Sequence, residues 1–165
     1  MKKFVSFILS IAMLSSFAFA TSAPPEIGPY QENPNNPPIY VDGAYRPDTP
    51  ETRAATIIFT KDFGTITPGM TISSSPKSFK KSDLNSSCHF SGNVRGTSVF
   101  YSVGFARYNA STGIYEPALV LDSQDSIKYS FFLDTTRLTS GVNYYIVLAN
   151  KGIYNIDSGS IHVTT

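Results

Sequence analysis

The chain has 165 residues, of which 41% are hydrophobic and 15% are charged, and its formal net charge is +1 at pH 7. This length suits one domain rather than two, and the near-neutral charge argues against a nucleic-acid binder, which carries a strong basic excess. The single cysteine, Cys88, excludes an internal disulfide framework and a zinc site built from several cysteines.

The first twenty residues have the layout of a secretory signal peptide. Lys2 and Lys3 form a positive start, an uncharged stretch rich in Phe, Ile, Leu and Ala runs from Phe4 to Phe19, and Ala18-Phe19-Ala20 matches a small-x-small cleavage site. We predict cleavage after Ala20 and a secreted, extracellular protein of bacterial style; the alternative is an uncleaved membrane anchor. No second long apolar segment follows, so we expect no membrane span after cleavage.

Residues 21–53 predict a proline-rich spacer that is extended and partly disordered. Eight of the eleven prolines lie between Pro24 and Pro50, and proline lacks an amide hydrogen and fixes φ, which disfavours helices and central strands. The exception is Ile39-Tyr40-Val41, which together with Tyr30 and Tyr45 could dock on the domain as an added edge segment.

Residues 54–165 alternate β-branched and aromatic residues with polar ones. Turn-forming clusters separate the runs, among them 91–93, 109–113, 150–152 and 157–159, each of which contains a glycine. This pattern predicts an all-β domain: an antiparallel immunoglobulin-like, fibronectin III-like or jelly-roll sandwich of about seven to eight strands. One helical turn is expected over Lys80–Leu84. The predicted strands are Thr56–Thr60, a stretch around Gly64–Ile72, Ser87–Ser91, Thr97–Tyr108, Ile114–Leu121, Ser126–Leu133, Asn143–Ala149 and Ser160–Thr165.

Period-two placement assigns the two faces of the longer strands. The richer faces should point to the core and consist of Val99, Tyr101, Val103, Phe105, Ile127, Tyr129, Phe131 and Leu133. By the same rule Phe100, Phe132, Tyr145 and Val147 point outward, and an exposed aromatic strip of this kind tends to mark a contact surface. We favour the interpretation that the docked tail or a second packed layer covers these residues, with the contact surface as the alternative.

One stretch of about eleven residues resembles a known motif. Leu138-Thr-Ser-Gly141-Val-Asn-Tyr144-Tyr-Ile-Val-Leu148 is similar to the L-x-P-G-T-x-Y-x-V-x-V stretch of fibronectin type III-like sandwiches. The resemblance implies a tyrosine corner, in which the Tyr144 hydroxyl bonds to backbone a few residues upstream. The last strands also resemble the closing hairpin of pre-peptidase C-terminal domains, which implies a non-catalytic accessory role.

The chain offers few residues for catalysis or metal binding, and we predict no catalytic residues, no cofactor and no metal site. Cys88 and His89 are sequence neighbours, so in a strand they point to opposite faces, and His162 is expected to be solvated. Asp122 and Asp125 flank a turn; they are interpreted as turn residues, the alternative being a weak calcium site.

Three functions remain open at this point. The leading hypothesis is a non-enzymatic, exported β-sandwich that binds an unknown protein or a cell-envelope polymer through its surface. The second is a carbohydrate-binding module that uses tyrosine platforms, since tryptophan is missing. The third is a small hydrolase or a protease inhibitor, for which 73–87 is the candidate protruding loop.

Overall fold

A computed structural model describes residues 23–41, 55–124 and 127–165. The predicted signal peptide and residues 42–54 lie outside these ranges. No helix within them is long and apolar enough to cross a membrane. The strands of the described part are β1 (Ile27–Pro29), β2 (Ile39–Tyr40), β3 (Ile57–Phe63), β4 (Met70–Ser73), β5 (Ser87–Gly96), β6 (Phe100–Asn109), β7 (Ile114–Gln124), β8 (Lys128–Asp134), β9 (Tyr145–Asn150) and β10 (Ile156–Thr164).

The strands form two sheets, and the prediction of an all-β sandwich is confirmed. One sheet has six strands in the order β1-β4-β9-β6-β7-β2, and the other has four in the order β3-β10-β5-β8. Every pairing between named strands is antiparallel except that of β2 with β7. The described part has ten strands rather than seven or eight because the proline-rich segment contributes β1 and β2.

The connections between the sheets give the sandwich two different ends. Four connections between the sheets, from β3 to β4, β5 to β6, β7 to β8 and β9 to β10, lie at one end, which we call the apical end, and the connections from β4 to β5 and from β8 to β9 cross at the other end. The start of β3 and the end of β10 lie at the opposite, basal end, where Thr56 and Thr165 exchange backbone hydrogen bonds of 3.0 Å. The only helical elements in the described part are two 3₁₀ turns, Lys81–Asp83, within the predicted turn, and Thr135–Arg137.

The core between the sheets contains the side chains that period two predicts. Seven of the eight expected core residues are buried there: Val99, Tyr101, Val103, Phe105, Tyr129, Phe131 and Leu133. The prediction is wrong for Ile127, which is 66% exposed because it precedes β8 and belongs to a turn instead of the strand. Each fully buried Val, Leu or Phe contributes roughly 1.5–3 kcal/mol relative to exposure, so packing stabilises this sandwich without a disulfide.

Two glycine-containing clusters predicted as turns lie inside strands. Ser91-Gly92-Asn93 belongs to β5, and the cluster around Gly159 belongs to β10. A Cβ atom on Gly92 would overlap the carbonyl oxygen of Ser160, and one on Gly159 would overlap that of Asn93. Glycine is therefore required here by close approach of two backbones rather than by a turn.

Candidate contact surface

The four residues predicted as an outward contact strip do not form one surface. Phe100 lies on β6 of the six-stranded sheet, whereas Phe132 lies on β8 of the other sheet, where its ring stacks on His89 with centroids 4.6 Å apart. Tyr145 and Val147 do face away from the main core, as alternation predicts, but both are buried in a second apolar cluster. Coverage by the docked tail, the favoured interpretation, is thus confirmed for Tyr145 and Val147, because another part of the chain packs on this face.

The cover is the N-terminal strap, by which we mean residues 23–41. The strap pairs with β4 through β1, and Gln31 N then donates to Tyr115 O of β7 at 3.1 Å. Farther along, β2 runs parallel to β7, so the predicted docking of Ile39-Tyr40-Val41 at an edge is confirmed. This part of the predicted spacer is therefore a structural part of the sandwich.

Tyr115 anchors the start of the strap. Its buried hydroxyl donates to Pro25 O at 2.6 Å and lies 2.7 Å from Ser73 Oγ. Burial raises the pKa of Tyr115 to about 12. Gly28 lies over the Tyr115 ring, and a Cβ there would come within 3.3 Å of it, so the strap approaches the ring closely where it has no side chain.

Polar side chains hold the middle of the strap. The Glu116 carboxylate is buried and accepts hydrogen bonds from the side-chain amides of Asn33, at 3.1 Å, and Asn109, at 2.8 Å. Arg107 Nη2 donates to Asn36 O at 3.1 Å. A buried carboxylate must be hydrogen-bonded to be tolerated, so the strap asparagine supplies part of what Glu116 needs.

The end of the strap meets the sandwich at Lys151. Lys151 Nζ lies 2.7 Å from Asp122 Oδ2 and 3.5 Å from Glu32 Oε1, and the rings of Tyr40 and Phe100 each lie 5.3 Å away. Burial alone lowers the pKa of Lys151, but the hydrogen bond to Asp122 and the nearby charges outweigh it, so the pKa is raised and the ammonium group is retained.

The loop between β9 and β10 presents two large apolar side chains to solvent. Ile153 is 81% exposed and Tyr154 is 53% exposed. The buried side chain of Asn150 fixes the loop backbone: its Nδ2 donates to Tyr154 O at 2.8 Å and to Ile66 O at 2.9 Å, and its Oδ1 accepts from Gly152 N at 2.9 Å. We call residues 151–155 the contact loop.

The hydrogen bonds expected of a tyrosine corner are present. Tyr144 immediately precedes β9 and is buried, and its hydroxyl accepts from Thr139 N at 2.9 Å and donates to Thr139 O at 3.4 Å. Leu138 belongs to the main core, and Gly141 has a φ of +79°, which favours glycine. The three residues of the motif thus fix the corner between β8 and β9.

The residues considered for metal binding or nucleophilic chemistry are separated or already engaged. Cys88 is buried in the main core, where burial raises its pKa to about 12, while His89 lies on the opposite face with Nε2 2.9 Å from Ser130 Oγ. His162 is exposed, and its Nδ1 lies 2.7 Å from Thr60 Oγ1. No group of three or more His, Cys, Asp or Glu side chains within the described ranges is placed to hold a metal ion.

Only Asp122 of the calcium alternative belongs to the described residues, and loop 73–87 lacks the protruding shape expected of an inhibitor loop. Asp122 is bound by Lys151 and accepts from Ser102, and Asp125 lies outside the described residues. Loop 73–87 does not protrude, because Phe79 is buried and exchanges two backbone hydrogen bonds of 2.8 Å with Tyr144. Among the described tyrosines the exposed ones are Tyr40 and Tyr154, on the strap and the contact loop rather than in a row on one sheet.

Comparison with known proteins gives no relative: no family model, no curated protein and no solved structure matches this chain. The resemblance to fibronectin type III-like and pre-peptidase C-terminal domains therefore rests on the sequence motif.

Proposed function

We propose that this protein is an exported, non-catalytic β-sandwich that acts by binding another protein or a component of the cell envelope through its apical end. The observation that carries the proposal is the contact loop, where two adjacent large apolar side chains are held in solvent by a hydrogen-bonded backbone. Binding residues are often found on loops positioned by a rigid scaffold.

The order of the loop backbone supports this proposal. Ordering a loop on binding costs free energy, and a loop that is already ordered avoids much of that cost. Asn150 makes three hydrogen bonds to backbone groups, two of them within the contact loop, so the positions of Ile153 and Tyr154 are set before a partner arrives. Tyrosine and apolar side chains on such loops provide contact area with little loss of side-chain freedom.

A neighbouring turn adds apolar area at the same end. Ile127 is 66% exposed, and its carbonyl oxygen accepts from Val94 N at 2.8 Å, next to the point where Gly96 of β5 pairs with Ile156 of β10. β10 and β8 lie on either side of β5. The contact loop, which precedes β10, and the turn at Ile127, which precedes β8, therefore place their exposed apolar side chains on either side of the end of β5. An apolar area built from adjacent loops supports contact with a protein surface more than with a free polar polymer.

The test is capture from the producing cell's own envelope and secreted proteins. The mature chain should retain a partner that the double variant Ile153→Ser and Tyr154→Ser loses. The control is Ile57→Ser, which removes one large apolar side chain, 69% exposed, at the basal end. Retention by purified wall polysaccharide would favour the carbohydrate-binding alternative, and equal capture by all three proteins would refute the assignment to the contact loop.

A further inference from the structure

The strap and the contact loop meet at one side chain. Lys151 is the first residue of the contact loop, and its amide donates to Phe100 O at 2.8 Å. Its ammonium group lies 3.5 Å from Glu32 Oε1 and 5.3 Å from the ring centre of Tyr40, both of which belong to the strap. The Tyr40 hydroxyl in turn donates to Glu32. Two strap residues and the root of the loop therefore form one connected cluster.

We infer that the strap and the contact loop form a single contact surface, with Lys151 as the positioning residue that couples docking of the strap to the order of the loop. This inference rests on the proposed function, since it adds a second element to the same surface. Tyr40, 44% exposed, contributes an aromatic side chain next to Lys151, the first residue of the loop that carries Ile153 and Tyr154.

The charges of the cluster indicate the chemistry of the partner. Glu32 and Asp122 are two carboxylates around the single ammonium of Lys151, and the Glu32 side chain is half exposed. The strap side of the surface is thus apolar and aromatic, and its charged cluster carries one excess negative charge. It fits a protein surface that offers an apolar pocket flanked by Lys or Arg, because complementary charge steers encounter and fixes orientation.

Coupling through Lys151 works in both directions. If the docked strap favours the ordered loop, a partner that binds the ordered loop must favour the docked strap by the same factor. The Lys151–Asp122 contact of 2.7 Å stays within the sandwich and remains when the strap leaves. Loss of the Glu32 charge should therefore weaken the order of the loop without abolishing it, and a partly exposed ion pair of this kind corresponds to about a two- to fivefold effect.

The test is amide hydrogen exchange in the contact loop of the mature, full-length protein. Glu32→Gln keeps an acceptor for Tyr40 and removes the charge, and it should speed exchange at Lys151 and Gly152 by about two- to fivefold. The matched control is Glu26→Gln, which removes the strap's other described ion pair, with Lys61 of β3, and should leave the loop unchanged. Raising the ionic strength from about 0.1 M to 1 M should act like Glu32→Gln on the wild type, since the screening length falls from about 10 to 3 Å.

Equal exchange in the two variants, or no response to salt, would overturn the coupling. The capture experiment separates this failure from failure of the proposed function. The coupling alone is refuted if the double variant Ile153→Ser and Tyr154→Ser loses capture while Glu32→Gln behaves like the wild type in both capture and amide exchange. Capture that does not depend on Ile153 and Tyr154 refutes the proposed function, whatever the exchange rates show.

Discussion

Removal of one hydroxyl group should release the strap while the sandwich stays folded. The change Tyr115→Phe keeps the ring that fills the second apolar cluster, and it removes the donor to Pro25 O and the contact with Ser73 Oγ. Pro25 O then keeps only the longer contact with Ser73 Oγ, at 3.3 Å. A buried polar group left without its partner costs about 1–3 kcal/mol. Pro25 itself is exposed, so water offsets part of this cost and we expect about 1–2 kcal/mol for strap docking.

Such a change multiplies the population of the open strap by about 5 to 30. The assay is amide exchange at Gln31 and Val41, whose amides donate to Tyr115 O and Val120 O of β7. Exchange at both should accelerate by that factor, while amides in the main core, such as those of β9, should not change. The matched control is Tyr154→Phe, which removes a solvent-exposed tyrosine hydroxyl. Unchanged exchange at Gln31 would refute the role given to Tyr115, and acceleration throughout β9 would mean that the strap cannot open without global unfolding.

Three further predictions concern the sandwich itself. Tyr144→Phe should lower the free energy of unfolding by about 1 kcal/mol, measured by urea denaturation with circular dichroism, because Thr139 loses both hydrogen bonds to the hydroxyl; no change would mean that the corner is held by packing alone. Gly92→Ala should lower it by about 1–3 kcal/mol or more, since the added methyl group overlaps Ser160 O, while Gly64→Ala, which has no atom within 4 Å of its Cβ position, should be nearly neutral. Stability should also fall as the pH rises from about 9 to 12, because the Cys88 thiol ionises near 9 when unfolded and near 12 when folded, so that the unfolded state loses its proton first; urea midpoints at several pH values measure this, and Cys88→Ala should reduce the slope.

The strands and their inward faces could be predicted because period two depends only on local backbone geometry. Tyr101, Val103 and Phe105 point into the main core as alternation requires. The turns could be predicted less completely, since glycine serves two purposes in this fold. In Gly113, with a φ of +72°, it permits a turn, whereas in Gly92 it permits close contact between strands. Composition around the residue is alike in both cases, and only the tertiary partner distinguishes them.

The contact loop was missed for a related reason. The cluster Asn150-Lys151-Gly152 predicts a turn, and this pattern says nothing of the function of the two large apolar residues that follow it. Their position directly after a turn cluster is the signal that could have identified them, because apolar side chains in a connection lack a strand face to bury them. The sequence offered no way to predict that the side chain of Asn150 fixes the backbone of this loop, which depends on Ile66 of a separate connection.

Docking of the strap could not be inferred from proline content, since proline loses only its donor and keeps its carbonyl acceptor. The strap uses this remaining group: the Tyr115 hydroxyl donates to Pro25 O, Ser75 Oγ donates to Pro24 O, and Arg107 donates to Asn36 O, beside two more prolines. The surface that receives the strap did leave a trace in the sequence. Ser102, Gly104 and Ala106 alternate on the outer face of β6 and are all buried, and a row of small residues on one side of a strand leaves room for a covering layer. Once that face is covered, it is no longer available as a contact surface. Among the large apolar side chains that are exposed in the described ranges, Ile127, Ile153 and Tyr154 lie together at the apical end, so this end keeps apolar area for a partner.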